Sequence, residues 1–81
     1  MMQLRDDIIK ALKLKFEGEL SAHKINVEIM LENTVGVGEH PNIIETVEGE
    51  LDIIAGYEDK LSVLKKHFKD SNSKKKEVLN G

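Results

Sequence analysis

The residues best suited to chemistry stand at the middle of the chain, where GVGEHP supplies Gly36, Gly38, Glu39, His40 and Pro41. A Gly-x-Gly turn ahead of a helix can cradle a phosphate. A P-loop also needs a lysine, and none lies within ten residues on either side. The dinucleotide fingerprint needs a third glycine where Pro41 stands, and the nearby charges are acidic. We therefore expect no nucleotide site: Gly36 ends one helix, Gly38 permits the turn, and Pro41 starts the next helix.

The three histidines are the other candidates for catalysis or metal binding. Glu19 and His23 are four residues apart, so they share a helix face. Di-iron bundles need Glu-x-x-His, which does not occur here, and His23, His40 and His67 do not converge in a helical hairpin. Glu39 and His40 are adjacent, but a thin hairpin offers no pocket for a substrate. We predict no enzyme activity, no metal and no cofactor.

Lysines concentrate at the C-terminal end and suggest an alternative chemistry, the binding of nucleic-acid phosphates. The lysines in question are Lys65, Lys66, Lys69, Lys74, Lys75 and Lys76. No arginine lies near them to read bases, and the acidic middle of the chain would be repelled by phosphates. A nucleic-acid role is therefore the alternative and not the main expectation.

The composition predicts a single small domain that needs additional buried area. The chain has 81 residues, three aromatic residues and no cysteine. A chain of this length without disulfide or metal gains stability most readily by association. We find no run of 18 apolar residues and no signal-peptide pattern at the start, so we expect a cytoplasmic protein with no membrane contact.

Apolar residues recur every three or four positions in both halves of the chain, which predicts two amphipathic helices. The first stripe comprises Leu4, Ile8, Leu12, Phe16, Leu20, Val27 and Leu31; the second comprises Ile43, Ile44, Val47, Leu51, Ile54, Leu61, Leu64 and Phe68. A second line of Leu14, Ala22, Ile25 and Ile29 makes the first helix apolar over more surface than one partner helix covers. Asn42 and Glu45 offer an alternative capping box for the second helix.

These patterns predict an all-α fold, an antiparallel two-helix hairpin. The helices span 2–33 and 41–69, a loop spans 34–40, and a polar, lysine-rich tail spans 70–81. An α+β alternative, helix–β-hairpin–helix, rests on the strand-like alternation of Ile25, Val27, Ile29 and Leu31. The hairpin register places Gly18 level with Gly56, so we expect a close helix–helix approach there, within the hairpin or with another chain.

Charge is distributed unevenly along the chain. Residues 25–59 contain nine acidic residues and no lysine or arginine, whereas residues 60–81 contain seven lysines. A hairpin would thus have an acidic loop end and a basic end carrying both termini. Two such rods attract each other when antiparallel, so we predict an antiparallel homodimer, a four-helix bundle. Glu28, Glu32, Glu39 and His40 mark the acidic end as a protein-interaction site, open to a second copy or a basic protein.

The stretch from Asn33 to Phe68, with its Gly-x-Gly-Glu-His-Pro bend followed by a helix ending in an aromatic residue, resembles small uncharacterised proteins of tailed, T4-like phages of marine bacteria. The resemblance implies a phage setting, in the cytoplasm of the host, for an accessory or host-interaction protein. No activity or functional residue comes with it. The expected function is a small structural or adaptor homodimer that mediates protein–protein interaction.

Overall fold

A computed structural model describes residues 3–32 and 42–69, and its two helices confirm the all-α hairpin. Helix α1 spans Gln3–Glu32 and helix α2 spans Ile43–His67. Each described boundary lies within two residues of the expected one. Residues 25–31 belong to α1, so the α+β alternative, which placed a β-strand there, is wrong for these residues. The loop and the tail, including Gly36, Gly38 and Pro41, lie outside the described residues.

The two helices pack antiparallel along a seam in which inward positions alternate by three and four residues, as in a coiled coil. On α1 the seam consists of Asp6, Ile9, Lys13, Phe16, Leu20, His23, Val27 and Met30; on α2 it consists of Ile43, Val47, Glu50, Ile54, Tyr57, Leu61 and Leu64. Contacts such as Phe16 with Tyr57 and His23 with Glu50 fix the register within one residue of the expected pairing.

Part of the expected apolar stripe lies outside this seam. Leu4, Ile8, Leu31, Ile44, Leu51 and Phe68 are exposed. A strict four-residue step advances about 40° around a helix each time, so such a stripe leaves the partner helix after two steps. Only the alternation of three and four keeps a side chain on the seam.

The start of α2 differs from the expected capping box. Asn42 is the residue before the helix, but its side chain makes no capping hydrogen bond. Instead the backbone N–H and the hydroxyl of Thr46 donate to the Asn42 carbonyl, at 2.9 and 3.0 Å. Lys65, Lys66 and His67 occupy the last turn of α2, where positive charge suits the helix dipole, whereas the last turn of α1 contains no basic residue.

Two helices side by side make a rod with little interior. The radius of gyration is 17.7 Å, against about 12 Å for a compact domain of this length. Among the described residues only Ile9, 6 % exposed, and Leu64, 8 % exposed, are buried hydrophobic residues. Functional side chains of the described helices can therefore lie only on the outer surface of the rod or along the seam between α1 and α2.

Candidate functional site

The centre of the seam is polar. The Nδ1 atom of His23 lies 2.8 Å from Oε1 of Glu50, and the Asn26 amide donates to the same oxygen at 3.2 Å. The Tyr57 hydroxyl donates to Oε2 of Glu19 at 3.3 Å. That Glu19 oxygen also lies 3.8 Å from Nε2 of His23. One imidazole thus lies between two carboxylates, one from each helix.

Aromatic rings extend this cluster toward the basic end of the rod. The ring centroids of Tyr57 and Phe16 are 5.8 Å apart, and those of Tyr57 and His23 are 6.3 Å apart. The Lys60 ammonium lies 4.9 Å from the centre of the Tyr57 ring and 5.5 Å from that of Phe16. Its charge is therefore placed where the negative faces of both rings attract a cation.

Two ionisations are shifted by these contacts. Hydrogen bonds from His23 and then Asn26 lower the pKa of Glu50, because they stabilise its carboxylate form. Removal from water raises the pKa of Tyr57, and the neighbouring Glu19 charge raises it further. The fold thus favours an ionised Glu50 and a neutral Tyr57 near neutral pH.

The polar cluster is best suited to specifying the helix register. A glutamate and a histidine at the centre of a mainly apolar seam satisfy each other only when they lie level. A slip by one heptad would leave each of them against apolar side chains. No group of three metal-binding side chains occurs among residues 3–32 and 42–69. Two surface hollows lie at the rod ends, and neither of them is lined by His23, Glu50 or Tyr57.

The main candidate site is the exposed apolar surface. Eleven large hydrophobic side chains of the described helices are exposed: Leu4, Ile8, Leu14, Ile25, Ile29, Leu31, Ile44, Leu51, Ile53, Val63 and Phe68. Monomeric proteins expose single apolar residues routinely, but eleven large ones on so small a rod indicate an interaction surface. The expectation that the apolar surface exceeds what one partner helix covers is confirmed for this hairpin.

Two apolar hollows lie at opposite ends of the rod. The terminal hollow, about 650 Å³, is lined by Leu4, Arg5, Ile8, Ile9, Leu12, Leu64 and Phe68. The loop-end hollow, about 500 Å³, is lined by Met30, Leu31, Ile43, Ile44, Val47, Glu48 and Leu51. Their heptad positions place them on opposite flanks of the seam. Each hollow is large enough to accept one or two apolar side chains of another molecule.

The acidic residues expected to mark an interaction site are only partly described. Glu28 and Glu32 are exposed in the last turns of α1, where their charge opposes the helix dipole. Glu39 and His40 lie outside the described residues. The hollow at this end carries a further acid, Glu48, among its lining residues.

The paired glycines correct one expectation. A Cβ atom built on Gly18 or Gly56 would have no neighbouring heavy atom within 4 Å. The two glycines therefore mark no close approach between α1 and α2, because both face away from the seam. Approach of another chain at this level stays a prediction.

Of the lysines expected to bind nucleic acid, some lie within the described residues and some outside them. Lys65 and Lys66 are exposed on the last turn of α2. The Lys69 carbonyl accepts a hydrogen bond from the Arg5 guanidinium at 3.0 Å, which ties the end of α2 to the start of α1. Lys74, Lys75 and Lys76 lie outside the described residues.

Glu50 and Tyr57 are the seam residues that reasoning from sequence did not single out. The sequence does indicate Glu50. It lies three residues after Val47 and four before Ile54, and this spacing requires an inward side chain. The expected face sharing of Glu19 and His23 is confirmed by their 3.8 Å contact.

Comparison of the chain with protein-family models, curated proteins and solved structures finds no match. Neither described helix has a stretch long and apolar enough to cross a membrane.

Proposed function

We propose that this chain is a small self-associating adaptor: an antiparallel homodimer of hairpins, four helices in all, that binds another protein at its acidic end. The observation that carries the proposal is the imbalance between two buried and eleven exposed large hydrophobic residues in the described helices. Burial of apolar surface is the main driving force of folding and association, and this hairpin leaves these eleven large apolar side chains exposed to water.

Charge supports the antiparallel orientation. Glu28 and Glu32 lie at the loop end, whereas Lys65, Lys66 and Arg5 lie at the terminal end. Parallel rods would bring like charges together at both ends, and antiparallel rods bring opposite charges together. The contribution is modest and sensitive to salt, because these side chains are exposed.

The loop-end hollow is the candidate site for the other protein. Its wall is mostly apolar, Ile44 at its edge is 79 % exposed, and Glu48 contributes an acid. Glu28 lies on the same flank of the hairpin by its heptad position. A basic amphipathic helix, with one or two aliphatic anchors and lysine or arginine beside them, fits this combination. An accessory or host-interaction role in a phage, implied by the resemblance of the loop, belongs to the same proposal.

The mass of the full chain in solution tests self-association directly. Multi-angle light scattering after size exclusion, at about 10 μM protein, should give twice the 9.1 kDa mass of one chain. A helical species with the mass of a single chain would overturn the homodimer. For the partner site, a fluorescent basic amphipathic peptide should bind the full chain, and Ile44→Glu should weaken binding about tenfold or more. Val63→Glu, which changes an apolar residue outside that hollow, is the matched control.

A nucleic-acid accessory role is the second candidate, supported by the exposed Lys65 and Lys66 on the last turn of α2. A gel shift with duplex DNA and single-stranded RNA separates the two functions. We expect no complex at about 150 mM salt, because few phosphate contacts are available and affinity falls steeply with salt. A complex that survives at that salt and is lost in Lys65→Glu/Lys66→Glu would favour the nucleic-acid role.

A further inference from the structure

Helix α1 has a second coiled-coil stripe on the side facing away from α2. The positions three and four apart along it are Leu4, Ile8, Ala11, Lys15, Gly18, Ala22, Ile25, Ile29 and Glu32, and all of them are exposed. Four of these residues are large and aliphatic: Leu4, Ile8, Ile25 and Ile29 are between 51 and 69 % exposed. An apolar stripe with this alternation over four heptads indicates a partner helix. Because α2 packs against the other side of α1, that partner is outside the hairpin.

We propose that this outer stripe of α1 binds the same stripe of a second copy, antiparallel, with the two-fold axis passing by Gly18. This inference rests on the proposed homodimer and names its interface. The two α1 helices would lie at the centre of the assembly and the two α2 helices outside them. The loop-end hollow, on a different flank of the hairpin, stays open to another protein.

Side-chain sizes along the stripe are complementary in this arrangement. With the axis at Gly18, Ala11 lies level with Ile25 of the second copy, and Ile8 lies within one residue of the level of Ile29 of the second copy. Ile25 thus meets the small Ala11, and Ile8 lies beside an isoleucine of equal size. Gly18 meets its own copy, and the open space around its Cβ position permits the helices to approach closely there.

Charge decides between the two orientations. In a parallel pair Lys15 would lie against Lys15 of the second copy, and Glu32 against Glu32, both within the apolar stripe. In the antiparallel pair the stripe residue nearest to Lys15 is Ala22 of the second copy, one residue from level. Glu32 lies level with Leu4 of the second copy, beside its Arg5, so the acid at the unfavourable end of α1 gains a cation.

The absence of cysteine from the chain makes disulfide trapping a clean test. Gly18→Cys and Gly56→Cys are matched variants, because both glycines are exposed and have open space at their Cβ positions. Under mild oxidation at micromolar protein, Gly18→Cys should give about tenfold or more disulfide-linked dimer than Gly56→Cys. Thiols held at a two-fold axis react at a millimolar effective concentration, whereas others must collide.

Orientation is tested with Ala11→Cys and Ile25→Cys. Mixed together they should form a disulfide between the two variants, and Ala11→Cys alone should give little dimer. Strong self-crosslinking of Ala11→Cys would indicate a parallel pair and overturn the proposed arrangement. Preferential crosslinking of Gly56→Cys, with a dimeric mass by light scattering, would overturn this interface and leave the homodimer intact. A single-chain mass would overturn both.

Discussion

His23 of α1 and Glu50 of α2 lie level in the middle of the seam, with Nδ1 and Oε1 2.8 Å apart. They are the polar pair that α1 and α2 share across a seam of mainly aliphatic and aromatic residues. Leu20 and Ile54 pack one layer away toward the terminal end, and Val27 and Val47 one layer away toward the loop. The pair therefore specifies the register of the hairpin, which in turn sets which apolar residues remain outside.

Acid should weaken the hairpin through Glu50. Its pKa is lowered in the folded state, so its stabilising contribution is full above its ordinary value of 4.5 and is lost as the pH falls through the lowered value. Glu50→Gln keeps the size of the side chain and removes the charge. We expect urea unfolding midpoints of the parent and Glu50→Gln to differ at pH 7, with the parent higher, and to converge at a pH below the lowered pKa of Glu50.

Glu58→Gln is the matched control, because Glu58 is an exposed glutamate on the same helix, α2. Its urea midpoint should stay close to that of the parent at both pH values. A Glu50→Gln midpoint equal to that of the parent at pH 7 would contradict the role of the His23–Glu50 pair in the seam.

Alkali should act on the hairpin through Tyr57, which is the single tyrosine of the chain. Its pKa is raised in the folded state, so its stabilising contribution is full below the ordinary value of 10.0 and is lost as the pH rises through the raised value. Absorbance at about 295 nm reports tyrosinate directly, and we expect the folded protein to titrate later than the urea-unfolded chain.

Tyr57→Phe separates the hydroxyl from the ring. The ring contact with Phe16 and the Lys60 cation remain in this variant. As the pH rises above 10.0 and through the raised pKa of Tyr57, the parent should lose more helical circular dichroism than Tyr57→Phe. Equal losses would contradict a role of the Tyr57 hydroxyl in the alkaline transition.

The helices, their antiparallel pairing and the register could be predicted from sequence, because periodicity and two arms of similar length determine them. The division of apolar residues between seam and surface could not. Ile8 and Ile9 are both isoleucine, yet Ile9 is 6 % exposed and Ile8 is 52 % exposed. The difference depends on the angular position of the partner helix, which a four-residue periodicity leaves undetermined within about 40° per step.

The polar centre of the seam was harder to predict for a similar reason. His23 and Glu50 are ordinary surface residue types, and each becomes a seam residue only when the other lies opposite. The sequence predicts the register of the two helices to within about one residue of the observed one. That one residue decides whether His23 faces Leu51 or Glu50. A rotation of about 100°, one residue of helix, thus separates an apolar layer from a hydrogen-bonded one.

Two leucines on α2 should respond very differently to truncation. Leu64 is 8 % exposed and packs in the seam, whereas Leu51 is 51 % exposed beside the loop-end hollow. We expect Leu64→Ala to lower the free energy of unfolding by about 2–4 kcal/mol. Leu51→Ala should lower it by about 1 kcal/mol or less, because little packing is lost. Chemical denaturation at one fixed protein concentration measures both, and equal losses would contradict the assigned seam.

The central claim is that this hairpin buries its apolar surface by associating with a second copy. The most direct test is the dependence of the thermal unfolding midpoint on protein concentration, followed by circular dichroism. Because one folded dimer gives two unfolded chains, a higher protein concentration favours the dimer. The unfolding midpoint should therefore rise steadily, by several degrees, between about 1 and 100 μM. A midpoint that stays constant over that range, with full helix content at the lowest concentration, would show that the hairpin is stable alone and would contradict the claim.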